Sequence, residues 1–288
     1  MRRIEALYQR WSTTPPWTFQ LGVARTALAL GTLFTLLMTD TSDLFGGTMG
    51  PTRGACGASL EWALFCRPEV SLGIAKWVAI AVLAVVASGF RPRLTAIPHW
   101  YVAASFSSSG FLIDGSDHIA TTLSALLIPL CLTDGRVWHW RTVASPSSAG
   151  VFLGAITGHS WLWVLRLQVA ALYLHAAAAK ISVAEWANGT ALYYWLLDPT
   201  FGVPPVLSSL AQSILSTATV SVLTWSVLAI EFSLFAALVA GVKVRRALFI
   251  LGLGMHCGIW LLQGLGSFVF STGAGLVLLL LTPRPGAE

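Results

Sequence analysis

ATVSVLTWSVLAIEFSLFAALVAG, residues 218–241, is long enough to cross a bilayer and carries a single ionisable side chain, Glu231. A helix needs ~20 predominantly apolar residues to span the hydrocarbon core. A carboxylate inside such a helix is costly, so it is paired or functional. The stretch therefore predicts a transmembrane helix and a partner for Glu231.

Seven further apolar blocks surround it, at 21–38, 72–89, 95–113, 119–132, 161–181, 247–263 and 265–281. With 218–241 they make about eight candidate spans. The fourth is short, and the last two are separated only by a tight GLGSF turn. The chain is 56% hydrophobic and 10% charged, with a mean hydropathy of +0.74. A soluble domain carries about 25% charged residues, so this chain cannot cover itself with a wetted surface. The predicted fold is all-α, a polytopic membrane helical bundle in which residues 1–288 form a single transmembrane domain. Residues 146–158 are small and polar enough to predict a connector or an interfacial segment. Residues 1–20 hold no apolar run and no small-residue cleavage site, which argues against a cleaved signal peptide. The net charge of +5 does not point to nucleic acid, because the basic residues lie between apolar blocks rather than on one face.

Those basic residues orient the bundle, since cytoplasmic loops are enriched in them. With the N-terminus inside, inner segments hold Arg2, Arg3, Arg10, Arg91, Arg93, Arg136, Arg141, Lys243, Arg245, Arg246 and Arg284. Outer segments hold Arg53, Arg67 and the span-edge Lys76. An even span count then places both termini in the cytoplasm, residues 1–20 included, and predicts a multi-pass protein of the cell membrane. Residues 39–71 and 182–217 become the two substantial outer loops. Cys56 and Cys66 both fall in the first, where an oxidising compartment favours a disulfide. Two free thiols are the alternative, and a metal site is disfavoured because that loop has no histidine. Cys131 and Cys257 fall within spans as small apolar fillers.

The ionisable groups in or at the edge of spans are Arg25, Asp117, His118, Arg166, His175, Lys180, Glu231 and His256. Arg166, Tyr173 and Lys180 recur every seven residues and share one helix face. Arg25 and Arg166 either snorkel from inner helix ends or supply a buried ion pair to Glu231. His175 is a packing residue or a ligand contact, and His256, flanked by glycines, is open between the same two roles. Asp117 and His118 form a polar helix start, where a carboxylate suits the helix dipole. Lys180 either snorkels or is a general base: four preceding alanines offer a partly dry setting that disfavours the ammonium, and a neutral amine accepts protons.

Four motifs in order carry a family resemblance: LGVARTALA at 21–29, SDHIATTLSALLIPL at 116–130, AAAAKISVAEWANGTALYYWL at 176–196 and GMHCGIWLLQGLGSFVF at 254–270. They resemble the vitamin K-dependent gamma-carboxylases and their bacterial relatives with the horizontally transferred transmembrane domain. CGASLEWALFC at 56–66 is similar to a feature of the bacterial, sporulation-delaying protein B subgroup. The resemblance implies Lys180 as the base that takes a proton from a membrane hydroquinone (menaquinone or similar), with molecular oxygen as co-substrate. It implies His118 as a second catalytic group, with Tyr173, His175, His256 and Asp117 around the cofactor. It further implies a secreted, toxin- or bacteriocin-type peptide precursor as substrate and a small partner protein of the same pathway, beside the lipid bilayer. The chain departs from the carboxylases in having no large soluble domain and one lysine where they have two. Glutamate carboxylation itself is therefore not implied. The alternative reading is a non-catalytic chaperone, export or immunity partner of such a peptide.

Overall fold

In the computed structural model the described residues are 11, 14–46, 56, 58–141, 149–199 and 201–284. Eight principal helices run through them: α1 Phe19–Met38, α2 Leu72–Ser88, α3 Pro92–Ser109, α4 Gly115–Leu132, α5 Ala149–Ile181, α6 Thr219–Ala236, α7 Val242–Gln263 and α8 Gly266–Leu276. The last turns after α8, Val277–Leu281, widen into a π-helix. No β-strand occurs among the described residues; Phe90 and Trp138 form one isolated bridge. Five helices are long and apolar enough to cross a membrane: α1, α4, α6, α7 and the Leu153–Ile181 part of α5. The chain is thus a multi-pass helical membrane protein. The other three expected spans are helices too, with α2 and Gly266–Leu281 shorter and α3 diluted by Arg93, His99 and several serines.

Local chemistry sets the ends. Thr18 and Ser71 accept from Leu21 N and Ile74 N to cap α1 and α2. Gly89 ends α2 in a left-handed conformation. Asp114 and Asp117 form a reciprocal capping box at the start of α4.

Helices α1, α4 and α8 form the middle of the bundle. α1 packs on α2, α4 and α8, while α8 also packs on α7, and α5 lies between α4 and α6. One core joins α1, α4, α5 and α8, with Leu278 and Leu279 fully buried. A second joins α1, α2 and α3 to Phe45 and Phe65 of the 39–71 segment. The expected Cys56–Cys66 disulfide closes within that segment, Cα–Cα 5.4 Å. The segment is also held by Leu64 N donating to Ser105 Oγ and Tyr101 Oη donating to Trp62 O. Residues 47–55 and 57 lie outside the described residues, as does most of 1–20.

One expectation is corrected. From Ala149 onward the stretch 146–158, expected as a connector or an interfacial segment, is not a connector but the first part of α5, a 33-residue helix; residues 146–148 lie outside the described residues. Its small residues are close-packing surface: a Cβ on Gly158 would meet Pro16 Cγ at 2.4 Å, and one on Gly154 would touch Trp17. The outer loop expected at 182–217 carries secondary structure of its own. It folds into short helices Ala184–Ala187 and Ala191–Leu196 and the amphipathic Pro205–Leu215.

Candidate functional site

Helix α5 stops at Ile181, level with the interior of α6. Lys180, in its last turn, donates from Nζ to Glu231 Oε1 at 2.7 Å. Glu231 is twelve residues into α6 (231 − 219), roughly 18 Å from that helix's start at 1.5 Å per residue. The chain after α5 then runs along α6 towards its start at Thr219. Trp186 and Ala191 pack on Leu228, Trp225 Nε1 donates to Ala187 O, and Leu192 N donates to Thr224 Oγ1. Gly189 makes the turn between the two short helices with φ +84°, and its α-carbon faces Ser221 so closely that a Cβ would lie 2.9 Å from Ser221 Cβ.

This arrangement leaves a cleft of about 360 Å³ between α6, α7, the start of α8 and the short helices. Its walls are apolar, with Trp186, Trp195, Leu196, Ile259, Leu262 and Phe268. Its polar groups are Lys180, Glu231, His256 and Gln263. Lys180 Nζ lies 5.5 Å from the centroid of the Trp186 ring. Behind the wall, Tyr173 Oη is 3.1 Å from His256 Nε2, and Phe268 meets the His256 ring edge to face at 5.5 Å. Two buried polar atoms, Glu231 Oε2 and His256 Nδ1, have no hydrogen-bond partner among the described residues. A buried acceptor or donor without a partner is expensive. Both belong to cleft-lining side chains.

The seven-residue spacing along α5 is thus an inward face: Arg166 and Tyr173 are buried and Lys180 is partly so. The expected pairing of Glu231 with Arg25 or Arg166 is corrected, since its partner is Lys180. Arg166 lies 14 residues back along α5 (180 − 166), about 21 Å, too far for one carboxylate to meet both. Arg166 instead donates to Thr282 Oγ1 and to Pro283 O. Arg25 is buried beside His139 Nδ1 at 3.4 Å and Thr95 Oγ1. The setting of Lys180 is therefore not apolar alone.

Three expected site residues stay outside. His118 is exposed, with Nδ1 3.2 Å from Ser107 Oγ, and faces α3. Asp117 Oδ2 accepts from Asp114 N within the capping box. His175 is exposed; two residues past Tyr173 it is rotated about 200° around α5, away from the bundle. In their place the fold supplies Glu231, expected only as a structural ion-pair partner, together with Trp195 and Phe268.

No protein-family model and no solved structure matches the chain. The uncharacterized protein YitO of Bacillus subtilis (strain 168) is 38% identical over 287 residues, covering 98% of this chain and 91% of that protein. The sporulation-delaying protein SdpB of the same organism is 30% identical over 259 residues, covering 89% of this chain and 79% of its own length. A single bundle of this size, matched nearly end to end, belongs to the family of SdpB and YitO.

Proposed function

We propose that this protein is a membrane-embedded, quinone-linked enzyme that modifies or matures a secreted peptide. One observation carries the reading: the Lys180–Glu231 pair opens onto an apolar cleft with Glu231 Oε2 and His256 Nδ1 otherwise unpartnered among the described residues. The membrane setting is read as eight crossings of the plasma membrane with both termini cytoplasmic, and the partners as a peptide precursor and a small protein of its pathway. SdpB bears the name of a sporulation-delaying protein, which supports a peptide pathway by kinship.

A quinone fits the residues present. Trp186, Trp195 and Phe268 would offer flat, apolar surfaces to a ring, and a hydroxyl at its edge would satisfy Glu231 Oε2 or His256 Nδ1. When bound, a reduced quinone supplies a phenolic proton and two electrons. Lys180 and Glu231 share a proton along their 2.7 Å contact, and the free carboxylate oxygen lets the pair accept another. Tyr173 fixes the orientation of His256 through Nε2, leaving Nδ1 for the cleft.

The same ion pair favours a second reading, a structural pin inside a non-catalytic chaperone of the peptide. Mass spectrometry of peptides secreted by cells with the wild-type protein, without it, and with Lys180→Ala separates the two. The enzyme predicts a peptide whose mass changes with the wild type only. A peptide of unaltered mass in all three, differing only in amount, would overturn the enzymatic reading.

A further inference from the structure

The end of the bundle remote from Lys180 carries a second pocket, of about 260 Å³, lined by Arg91, Arg93, Leu94, Asp134, Arg136 and Val137. It lies between two turns that are stitched together: Arg91 N donates to Val137 O at 2.8 Å and His139 N to Gly89 O at 3.0 Å. Pinned there, Arg91 adopts φ +33°, the single non-glycine positive φ among the described residues. Such backbone strain collects at ligand clamps and switch regions.

The three guanidiniums are not equivalent. Arg136 is held by Asp134, Nη2 to Oδ2 at 2.8 Å, and its Nη1 donates to His139 O and Arg141 O. Arg93 donates to Leu132 O through Nε only, and Arg91 lies over the Phe90 ring at 5.7 Å. Among the described residues neither has a carboxylate within ion-pair distance. The pocket therefore holds two positive charges with donors to spare, at the N-terminal end of the 18-residue α3, whose dipole also favours an anion. Guanidinium donors match phosphate geometry.

The rim says which phosphate. Leu94 and Val137, which line the pocket, are exposed, as are Trp138 and Trp140 in the turn that follows Val137 and Ile97 further along α3. Tryptophans are enriched at membrane–water interfaces, where headgroups lie. Leu94 and Ile97, one turn apart on α3, continue downward as an apolar track for an acyl chain. We propose that this pocket binds the phosphate of an anionic membrane lipid, with Arg91 and Arg93 as its cationic ligands. Basic pockets between helices at a membrane face take lipid headgroups in this way. The proposal is independent of the cleft at Lys180.

The test is native mass spectrometry of the full chain released from nanodiscs of equal phosphatidylglycerol and phosphatidylcholine. The wild type should retain phosphatidylglycerol selectively. The R91Q/R93Q variant should lose roughly thirtyfold of that preference, at about fivefold per arginine. K243Q/R246Q, exposed charges at the start of α7, should keep it. In the unmodified protein, retention should fall as salt rises, because the contact is electrostatic, and millimolar inorganic phosphate should not displace the lipid. Undiminished preference in R91Q/R93Q, an equal loss in K243Q/R246Q, indifference to salt, or displacement by free phosphate would each overturn the proposal.

Discussion

His139 shows how one residue ties a turn to the bundle. Its Nδ1 faces Arg25 Nη1, so it accepts, and its Nε2 lies 3.3 Å from Thr26 Oγ1, whose own hydroxyl donates to Ala87 O. Nε2 therefore donates to Thr26 Oγ1 in either protonation state, but the Nδ1 contact with the Arg25 guanidinium needs the neutral ring. Burial, then the Arg25 and Arg136 guanidiniums, push His139 down to about 3. An unfolded histidine titrates near ~6.5, so between these values the unfolded chain binds the extra proton. The stability that neutral His139 contributes is complete above ~6.5 and is lost progressively as pH falls towards 3. Thermal unfolding in detergent should therefore lose about 1.4 kcal/mol more per pH unit in this window for the wild type than for His139→Gln. Parallel pH profiles would contradict this. At the site, Lys180, Tyr173 and His256 were legible as ionisable or polar groups in apolar spans with helical spacing. The partner of Glu231 was not. Pairing depends on the depth at which α5 stops, and periodicity gives a residue's face but not its level against a neighbouring helix.

At the scale of elements, the short helices after α5 build one wall of the cleft, and Gly189 is their hinge. Gly189→Ala places a Cβ against Ser221 in a left-handed backbone; the backbone cost alone is roughly 1–2 kcal/mol, before the contact is relieved. Gly254→Ala in α7 meets open space and should be neutral or stabilise by up to about 1 kcal/mol, since alanine is the better helix former. Unfolding midpoints of the two variants should move in opposite directions, and a harmless Gly189→Ala would remove the close approach described here. The apolar blocks announced every principal helix because each needs a continuous run of hydrophobic residues. The helices within 182–217 were hidden by their brevity, and the first turns of α5 by small and polar residues whose glycines serve as packing surface.

For the whole molecule, the basic residues of 89–93, 133–141 and 280–284 gather at the end of the bundle away from the Cys56–Cys66 segment, where Arg284 donates to Leu238 O and Leu279 O. The orientation expected from positive charge places that end in the cytoplasm. Impermeant thiol labelling in intact cells should leave a cysteine introduced at Arg141 unlabelled and react with one at Ser208; the reverse pattern would invert the topology. Helix order and lateral packing lay beyond the sequence, since apolar faces in a membrane do not announce their neighbours.

The direct test of the proton-accepting pair is Lys180→Arg, measured as the amount of mass-shifted peptide at equal protein abundance in the membrane. A guanidinium preserves the ion pair with Glu231, yet it keeps its proton and can grip both carboxylate oxygens. Neither partner is then free to accept. The expected result is a folded, normally abundant protein with no modified peptide. Full modification by Lys180→Arg would contradict the base role and leave Lys180 as a fixed positive charge.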